Sequence, residues 1–310
     1  MDVRAPDSIL GSPALTDLIG DTPLLPIGGL REVPGRVEVS GKAEWFNPGG
    51  SVKDRAAWGM VQAGERSGAL TRDKILIDAT SGNTGIAYAW IGAARGLRVR
   101  LCVPANASAR RLRVIQALGS ELVPTSPMEG TDGVIREARR RVAEEPDRYF
   151  YPVQYSNPAN WQAHYRTTAA EVWAQTEGRV THLVAGIGTS GTLVGTARRL
   201  RERSPALQAI AVQPDSPFHA LEGLKHLPSA MVPAIYDPGA HQRTLEVTSE
   251  DAIDMAKRQA RLGLLIGWSA GAALAAAERV ARELERGTVV AILPDGAERY
   301  LDDPLWGEGA

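Results

Sequence analysis

The stretch "NPGGSVKDR", residues 47 to 55, sets a lysine at the start of a helical pattern, after a proline and two glycines. A helix N-terminus carries positive potential and unpaired backbone N–H groups, so an ammonium is poorly placed there. A neutral amine suits the position better, because the positive terminus and partial burial both lower the cost of losing the proton. A lysine of depressed pKa is a good Schiff-base nucleophile, which makes Lys53 the first candidate catalytic residue. The competing reading is a surface lysine whose stem packs on the helix. The spacing predicts a helix beginning at Gly50 or Ser51, with Lys53 in its first turn. Gly-Lys-Ser/Thr is absent, so the stretch is not a nucleotide P-loop.

Three further stretches have the same character. "TSGNTGIAYAW" places Ser, Gly, Asn and Thr ahead of a helical run, where backbone N–H groups and hydroxyls would converge on a carboxylate or phosphate; an ordinary N-cap with turn residues is the competing reading. "GIGTSGTLVGTARRL" is a glycine-rich helix entry with hydroxyls at Thr189, Ser190 and Thr192, a phosphate cradle by the same reasoning. It also satisfies Gly-x-Gly-x-x-Gly through Gly186, Gly188 and Gly191, and Asp215 lies about 20 to 25 residues further on, where a ribose-binding acid would sit. A dinucleotide-binding oxidoreductase is therefore a competing reading. "GWSAGAALAAAERV" carries Ser269 at the tip of a turn before an alanine-rich helix, where N-capping is the ordinary role of a serine.

These loops need elements to hold them. Short β-branched runs, "RVEVSGKAEW", "KILIDA", "VRLCV", "THLVA", "LQAIAV" and "TVVAIL", alternate with amphipathic helical patterns. Most of these runs are almost continuously apolar, as parallel strands covered on both faces should be. Ala57, Met60, Val61 and Gly64 recur at helical spacing, as do Leu193, Thr196, Ala197 and Leu200. Thr248 and Asp251 have the spacing of a capping box. The pattern predicts an α/β protein with mostly parallel sheets, whose ligands gather at the carboxyl ends of strands. Asn-Pro in "QYSNPAN" breaks the periodicity and suggests a boundary.

The chain has 310 residues and a net charge of -1, enough for a large core and two lobes. Near-neutral charge offers no general attraction to nucleic acid or anionic membrane. The basic run "REARRRVAEEPDR" alternates with acids and reads as a solvated helix face. The single cysteine, Cys102, sits in an apolar run and reads as a buried structural thiol. No stretch reads as a signal peptide or membrane span, so a cytoplasmic location is expected.

Taken in order, "NPGGSVKDR", "TSGNTG", "QYSNPAN", "GIGTSGT" and "GWSAGAA" resemble the pyridoxal-phosphate-dependent cysteine synthases and cystathionine β-synthases. "IGDTPLL" resembles that family's opening segment and "LPDGAERYL" its closing one, so the likeness runs from about Ile19 to Leu301. The resemblance implies fold type II, the tryptophan synthase β-like architecture of two doubly wound domains. Residues 47–157 would form a smaller, mobile domain, and 1–46 with 158–310 a larger one. Lys53 would carry pyridoxal phosphate as an imine. Thr80, Ser81, Gly82, Asn83 and Thr84 would bind the substrate carboxylate with Gln154, and Asn83 would also reach the cofactor ring oxygen. Gly188, Thr189, Ser190, Gly191 and Thr192 would hold the cofactor phosphate, and Ser269 would meet the pyridine nitrogen. No metal is implied.

The implied reaction is ping-pong β-replacement through α-aminoacrylate. It would make L-cysteine from O-acetylserine or O-phosphoserine with sulfide or thiosulfate. A neutral serine at the ring nitrogen fits such chemistry, because an aspartate there would keep the ring protonated and make it a stronger electron sink. "KHLP" after "HALEGL" resembles the cysteine synthase B branch, and Lys225 and His226 would face an anionic group on the substrate. The alternatives are a cystathionine β-synthase-type replacement on serine derivatives, the NAD-binding oxidoreductase above, and a non-catalytic binding module. The family usually forms homodimers. It usually carries glycine where this chain has Ser190.

Overall fold

Every run that reads from the sequence as a buried strand lies in the interior of a sheet, and the strands that escaped that reading lie at the edges. The computed structural model describes residues 14–80 and 82–307, with the side chains of residues 129–132 left out. In chain order the elements begin with β1 (Leu24–Pro26), β2 (Val37–Ala43), α1 (Lys53–Ser67), β3 (Ile75–Ala79), α2 (Asn83–Arg95), β4 (Arg98–Pro104), α3 (Ala109–Ala117), β5 (Glu121–Thr125) and α4 (Gly130–Glu144). They continue with β6 (Tyr149–Phe150), α5 (Pro158–Arg166), α6 (Thr168–Gln175), β7 (His182–Gly186), α7 (Gly191–Arg203), β8 (Gln208–Pro214), β9 (Arg243–Val247), α8 (Ser249–Ala260), α9 (Trp268–Arg282) and β10 (Gly287–Leu293). The chain divides into two compact units, Met1–Ile19 with Lys53–Ala159, and Gly20–Val52 with Asn160–Ala310.

The first unit holds a 4-stranded sheet in the order β5-β4-β3-β6, parallel throughout. All five residues of β3 are buried. α1 turns Ala57, Met60, Val61 and Gly64 inward, the stripe its periodicity predicts. Gly64 has no side chain because the Phe150 ring occupies the space, with Cζ 2.5 Å from where a Cβ would stand. Cys102 is fully buried, and burial pushes its thiol up to about 11. Along α4 and just beyond it, Glu137 pairs with Arg140 and Arg141, Arg140 with Glu144, and Arg148 with Glu145.

The second unit holds a 6-stranded sheet in the order β1-β2-β10-β7-β8-β9, parallel except where β1 meets β2. α9 is buried along nearly its whole length, and its alanines let it pack closely against α8 and the sheet. Alanine also costs the least in a helix, so the same residues favour the element and its packing. On α7, Leu193, Thr196, Ala197 and Leu200 are buried. Thr248 caps α8 by accepting from the Asp251 N–H at 3.0 Å, while the Asp251 carboxylate meets Arg279.

One boundary differs from the sequence expectation. α1 begins at Lys53 itself, not at Gly50 or Ser51. Gly50 sits at φ +79°, which a right-handed helix cannot use. Ser51 is held in a bridge to Asp295, and the Val52 N–H donates to Pro294 O at 2.8 Å. The chain leaves the second unit at Val52 and enters the first with Lys53 as the opening residue of its helix. Among the described residues no helix is long and apolar enough to cross a membrane.

Candidate active site

Lys53 is half-buried at the positive end of α1, with Asp54 and Arg55 buried behind it. Within the same unit, β3 delivers Thr80, whose N–H donates to Cys102 O at 3.1 Å. The chain then passes through Gly82, the N-cap of α2, into Asn83 and Thr84. Ser81 lies outside the described residues. Gly85 keeps this turn tight, since a Cβ there would stand 2.8 Å from Thr80 O. Thr84 donates to Gln154 Oε1 at 3.1 Å, and both side chains are buried. The structure therefore joins two of the residues assigned to carboxylate binding.

Directly below the turn lies a residue that sequence reasoning passed over. Asp78, in β3, is 2% exposed. Its Oδ1 accepts from the Ala79 N–H at 2.7 Å, and its Oδ2 has no hydrogen-bond partner among the described residues. Burial raises its carboxyl to about 7, against the opposing pull of the Ala79 N–H and the Tyr88 phenol. Tyr88, from α2, is fully buried, and burial followed by the nearby Asp78 pushes its phenol upward. The signal available was one acid inside the otherwise apolar run "KILIDA".

In the second unit the loop between β7 and α7 holds Gly188, Thr189 and Ser190, and α7 opens with Gly191 and Thr192. The three glycines of the dinucleotide-like spacing are filled by protein. A Cβ on Gly186 would stand 2.5 Å from Leu224 Cδ2, one on Gly188 would stand 2.2 Å from Gly223 O, and one on Gly191 would stand 2.0 Å from Asn160 Oδ1. In a dinucleotide fold the second of these glycines, here Gly188, stays bare so that a pyrophosphate can approach the backbone. Here that approach is closed, so the oxidoreductase reading is withdrawn, although Asp215 does follow β8 beside β7.

What the loop offers instead is a set of groups that fit a compact anion. Ser190 is the N-cap residue of α7 at φ 72°, the left-handed region where a glycine would be unstrained. Its hydroxyl is buried and has no hydrogen-bond partner among the described residues. Thr189 Oγ1 accepts from Asn160 Nδ2 at 3.2 Å and from the Gly191 N–H at 3.4 Å. Its own proton is thus directed elsewhere. Thr192 Oγ1 lies 3.3 Å from His164 Nε2, whose other ring nitrogen lies 2.9 Å from Thr168 Oγ1. A buried donor without a protein partner, at the start of a 13-residue helix, fits a phosphate group. Asn160 and His164, both on α5, brace the loop. Asn160 lies inside "QYSNPAN", whose pattern signals a boundary and not a contact with this loop, and nothing in the sequence marks His164.

Lys225 is tied to this loop through its backbone, its N–H donating to Ile187 O at 2.7 Å. His226 is half-buried, with Nδ1 2.7 Å from Ser229 Oγ. Ser269 is 4% exposed and lies in the first turn of α9. It is not the N-cap: Gly267 takes that position with extended backbone, and no side chain caps the helix. The capping role a serine would ordinarily have here is therefore ruled out by the helix's true start.

Residues 15–295 match the family described as pyridoxal-phosphate dependent enzyme. The chain is 48% identical over 298 residues to the cysteine synthase of Aquifex aeolicus, covering 94% of this chain and 91% of that one. It is 38% identical over 295 residues to cysteine synthase B of Escherichia coli, covering 95% and 96%. The solved cysteine synthase of Entamoeba histolytica superposes with a TM-score of 0.91 at 33% identity, covering 98% of this chain and 96% of that one.

Proposed function

The chain belongs to the pyridoxal-phosphate dependent enzyme family, and from that premise we propose that it makes L-cysteine by β-replacement on an O-activated L-serine. The observation that carries this reading is the buried, unpartnered Ser190 hydroxyl at the start of α7, in a loop whose glycine faces are already filled. Such a loop suits a single phosphate better than a dinucleotide.

Pyridoxal phosphate, when bound, supplies an electron sink that labilises bonds at the substrate Cα and Cβ. The chain's own residues do the rest. Lys53 would hold the cofactor through its amine and, once the substrate amine has displaced it, would move the α-proton off and back as a free amine. Gly188 to Thr192 hold the phosphate with backbone N–H groups and hydroxyls. Thr80, Ser81, Gly82, Asn83, Thr84 and Gln154 hold the substrate carboxylate, and Asn83 also meets the ring oxygen. Ser269 meets the ring nitrogen as a neutral partner. Lys225 and His226 receive the anionic end of the substrate or sulfur donor, the phosphate of O-phosphoserine or the sulfonate of thiosulfate. The Lys225–Ile187 backbone bond supports this last role, because it keeps the segment beside the phosphate loop. We read the enzyme as a cytoplasmic homodimer, in keeping with its family resemblance and its single cysteine.

The test combines trapping with a substrate matrix. Borohydride treatment of B6-supplied enzyme, followed by peptide mapping, should find a pyridoxyl group on Lys53. O-acetylserine and O-phosphoserine, each offered with sulfide and with thiosulfate, should yield L-cysteine or its sulfonated thiol. An unmodified Lys53 peptide, or no product with any pair, would overturn the reading.

A further inference from the structure

The two residues immediately before Ser269 are gripped by the end of the chain. Gly267, the N-cap of α9, donates its N–H to Asp295 O at 3.1 Å. A Cβ on Gly267 would stand 2.2 Å from Asp295 Oδ1 and 2.8 Å from Tyr300 Cε2, so both groups lie flat against its backbone. Tyr300 in turn donates its hydroxyl to Asp295 Oδ2 at 2.6 Å.

Trp268 is held from the other side. It is 1% exposed, and its Nε1–H donates to Asp303 Oδ2 at 3.1 Å. Its ring stacks on Trp306 with centroids 4.6 Å apart and planes at 26°. Asp303 uses its second oxygen to accept from the Leu305 N–H at 3.0 Å, capping the helical turn Pro304–Trp306. One carboxylate therefore ties the indole to the turn that carries the stacking ring. The Trp306 Nε1–H has no hydrogen-bond partner among the described residues, so its grip is that of an aromatic face.

We propose that the turn Asp303–Trp306, acting through Trp268, is a positioning clamp that holds the Ser269 hydroxyl at the cofactor's ring nitrogen. The inference rests on the assignment of Ser269 to that nitrogen. The first turn of α9 has no side-chain cap to fix it, and a hydrogen bond tolerates little displacement of its donor or acceptor. The clamp supplies that constraint: a large buried side chain, held by a hydrogen bond and a ring stack, one residue from the hydroxyl. Leu301 and Leu305 beside it are exposed, so the clamp lies at the surface.

The test uses full-length enzyme loaded with pyridoxal phosphate labelled with 15N in the ring. Ser269→Ala is the reference and should shift the ring-nitrogen resonance. Trp306→Ala should shift it in the same direction and lower kcat/KM about 5- to 10-fold, the size of one lost hydrogen bond. Trp306→Phe, which keeps an aromatic face, should restore both. Trp268→Phe, which keeps the ring and loses the donor to Asp303, gives an independent reading if Trp306→Ala fails to fold, and should shift the resonance part of the way. If Ser269→Ala leaves the resonance unmoved, the Ser269 assignment fails and the clamp with it. If Ser269→Ala moves it and the folded Trp306 and Trp268 variants do not, the assignment stands and the clamp is refuted. Lower melting temperatures alone would not rescue it.

Discussion

Thr84 donates its hydroxyl to Gln154 Oε1 across 3.1 Å, joining the first turn of α2 to the segment that follows β6. With its oxygen engaged by Thr84, the Gln154 amide has donor character to offer, which is what the proposed carboxylate role requires. Gln154→Glu removes that character by presenting only acceptors. KM for the amino-acid substrate should rise by at least about 10-fold, the scale of a lost charged hydrogen bond, while cofactor content stays unchanged. Steady-state kinetics with cofactor quantified by absorbance decide this, and an unchanged KM counts against the carboxylate role.

Ser190 combines a strained backbone with a buried hydroxyl, and two substitutions separate them. Ser190→Gly removes the left-handed strain and should stabilise the cofactor-free protein by about 1 kcal/mol. It should also weaken pyridoxal phosphate binding about 10-fold or more, because a charge-assisted hydrogen bond is lost. Ser190→Ala should weaken binding equally and bring no gain in stability. Thermal unfolding of the apo forms and fluorescence titration with pyridoxal phosphate read the two effects. Equal cofactor affinity in all three proteins would remove the hydroxyl from the phosphate site.

Asp78 makes a pH prediction with a definite sign. Its carboxyl is raised by burial from 3.8 to about 7, so between those values the folded chain keeps a proton that the unfolded chain has released. Stability from this group is full below about 3.8, falls as pH rises, and is lost above about 7. Each pH unit of that window is worth about 1.36 kcal/mol, so the whole is on the order of 4 kcal/mol. Asp78→Asn should therefore match the parent near pH 4 and exceed its stability at pH 8. Glu137 runs the opposite way: hydrogen bonds from Arg140, and then Arg141, lower its carboxyl to about 2 despite the opposing desolvation. The difference between parent and variant, measured by urea unfolding at each pH, isolates Asp78. A pH-independent difference would contradict the shift.

Lys225→Ala tests the anionic end of the site. Loss of the ammonium should cost O-phosphoserine or thiosulfate about 10-fold in kcat/KM, and O-acetylserine with sulfide much less. Equal losses for neutral and anionic substrates would show that Lys225 has only a structural part.

The sequence alone exposed the interior strands β2, β3, β4, β7, β8 and β10, through β-branched runs most of which are nearly all apolar, as strands covered on both faces should be. The edges stayed hidden for the converse reason. β1 and β5 contain proline, β6 has two residues, and β9 is mostly polar. The sequence also marked the loops to which the chemistry is assigned, since glycine, serine, threonine and asparagine at helix starts are a local signal of anion binding. Tertiary structure decided what no local pattern records. It filled the glycine faces at positions 186, 188 and 191 from Leu224, Gly223 and Asn160. It buried Asp78 deeply enough to keep its proton near neutral pH, and it closed Asp295, Tyr300, Asp303 and Trp306 around the first turn of α9. Periodicity and turn chemistry act over a few residues. Burial, close approach and hydrogen-bond partnership are set by groups dozens of positions away, and only the folded chain brings them together.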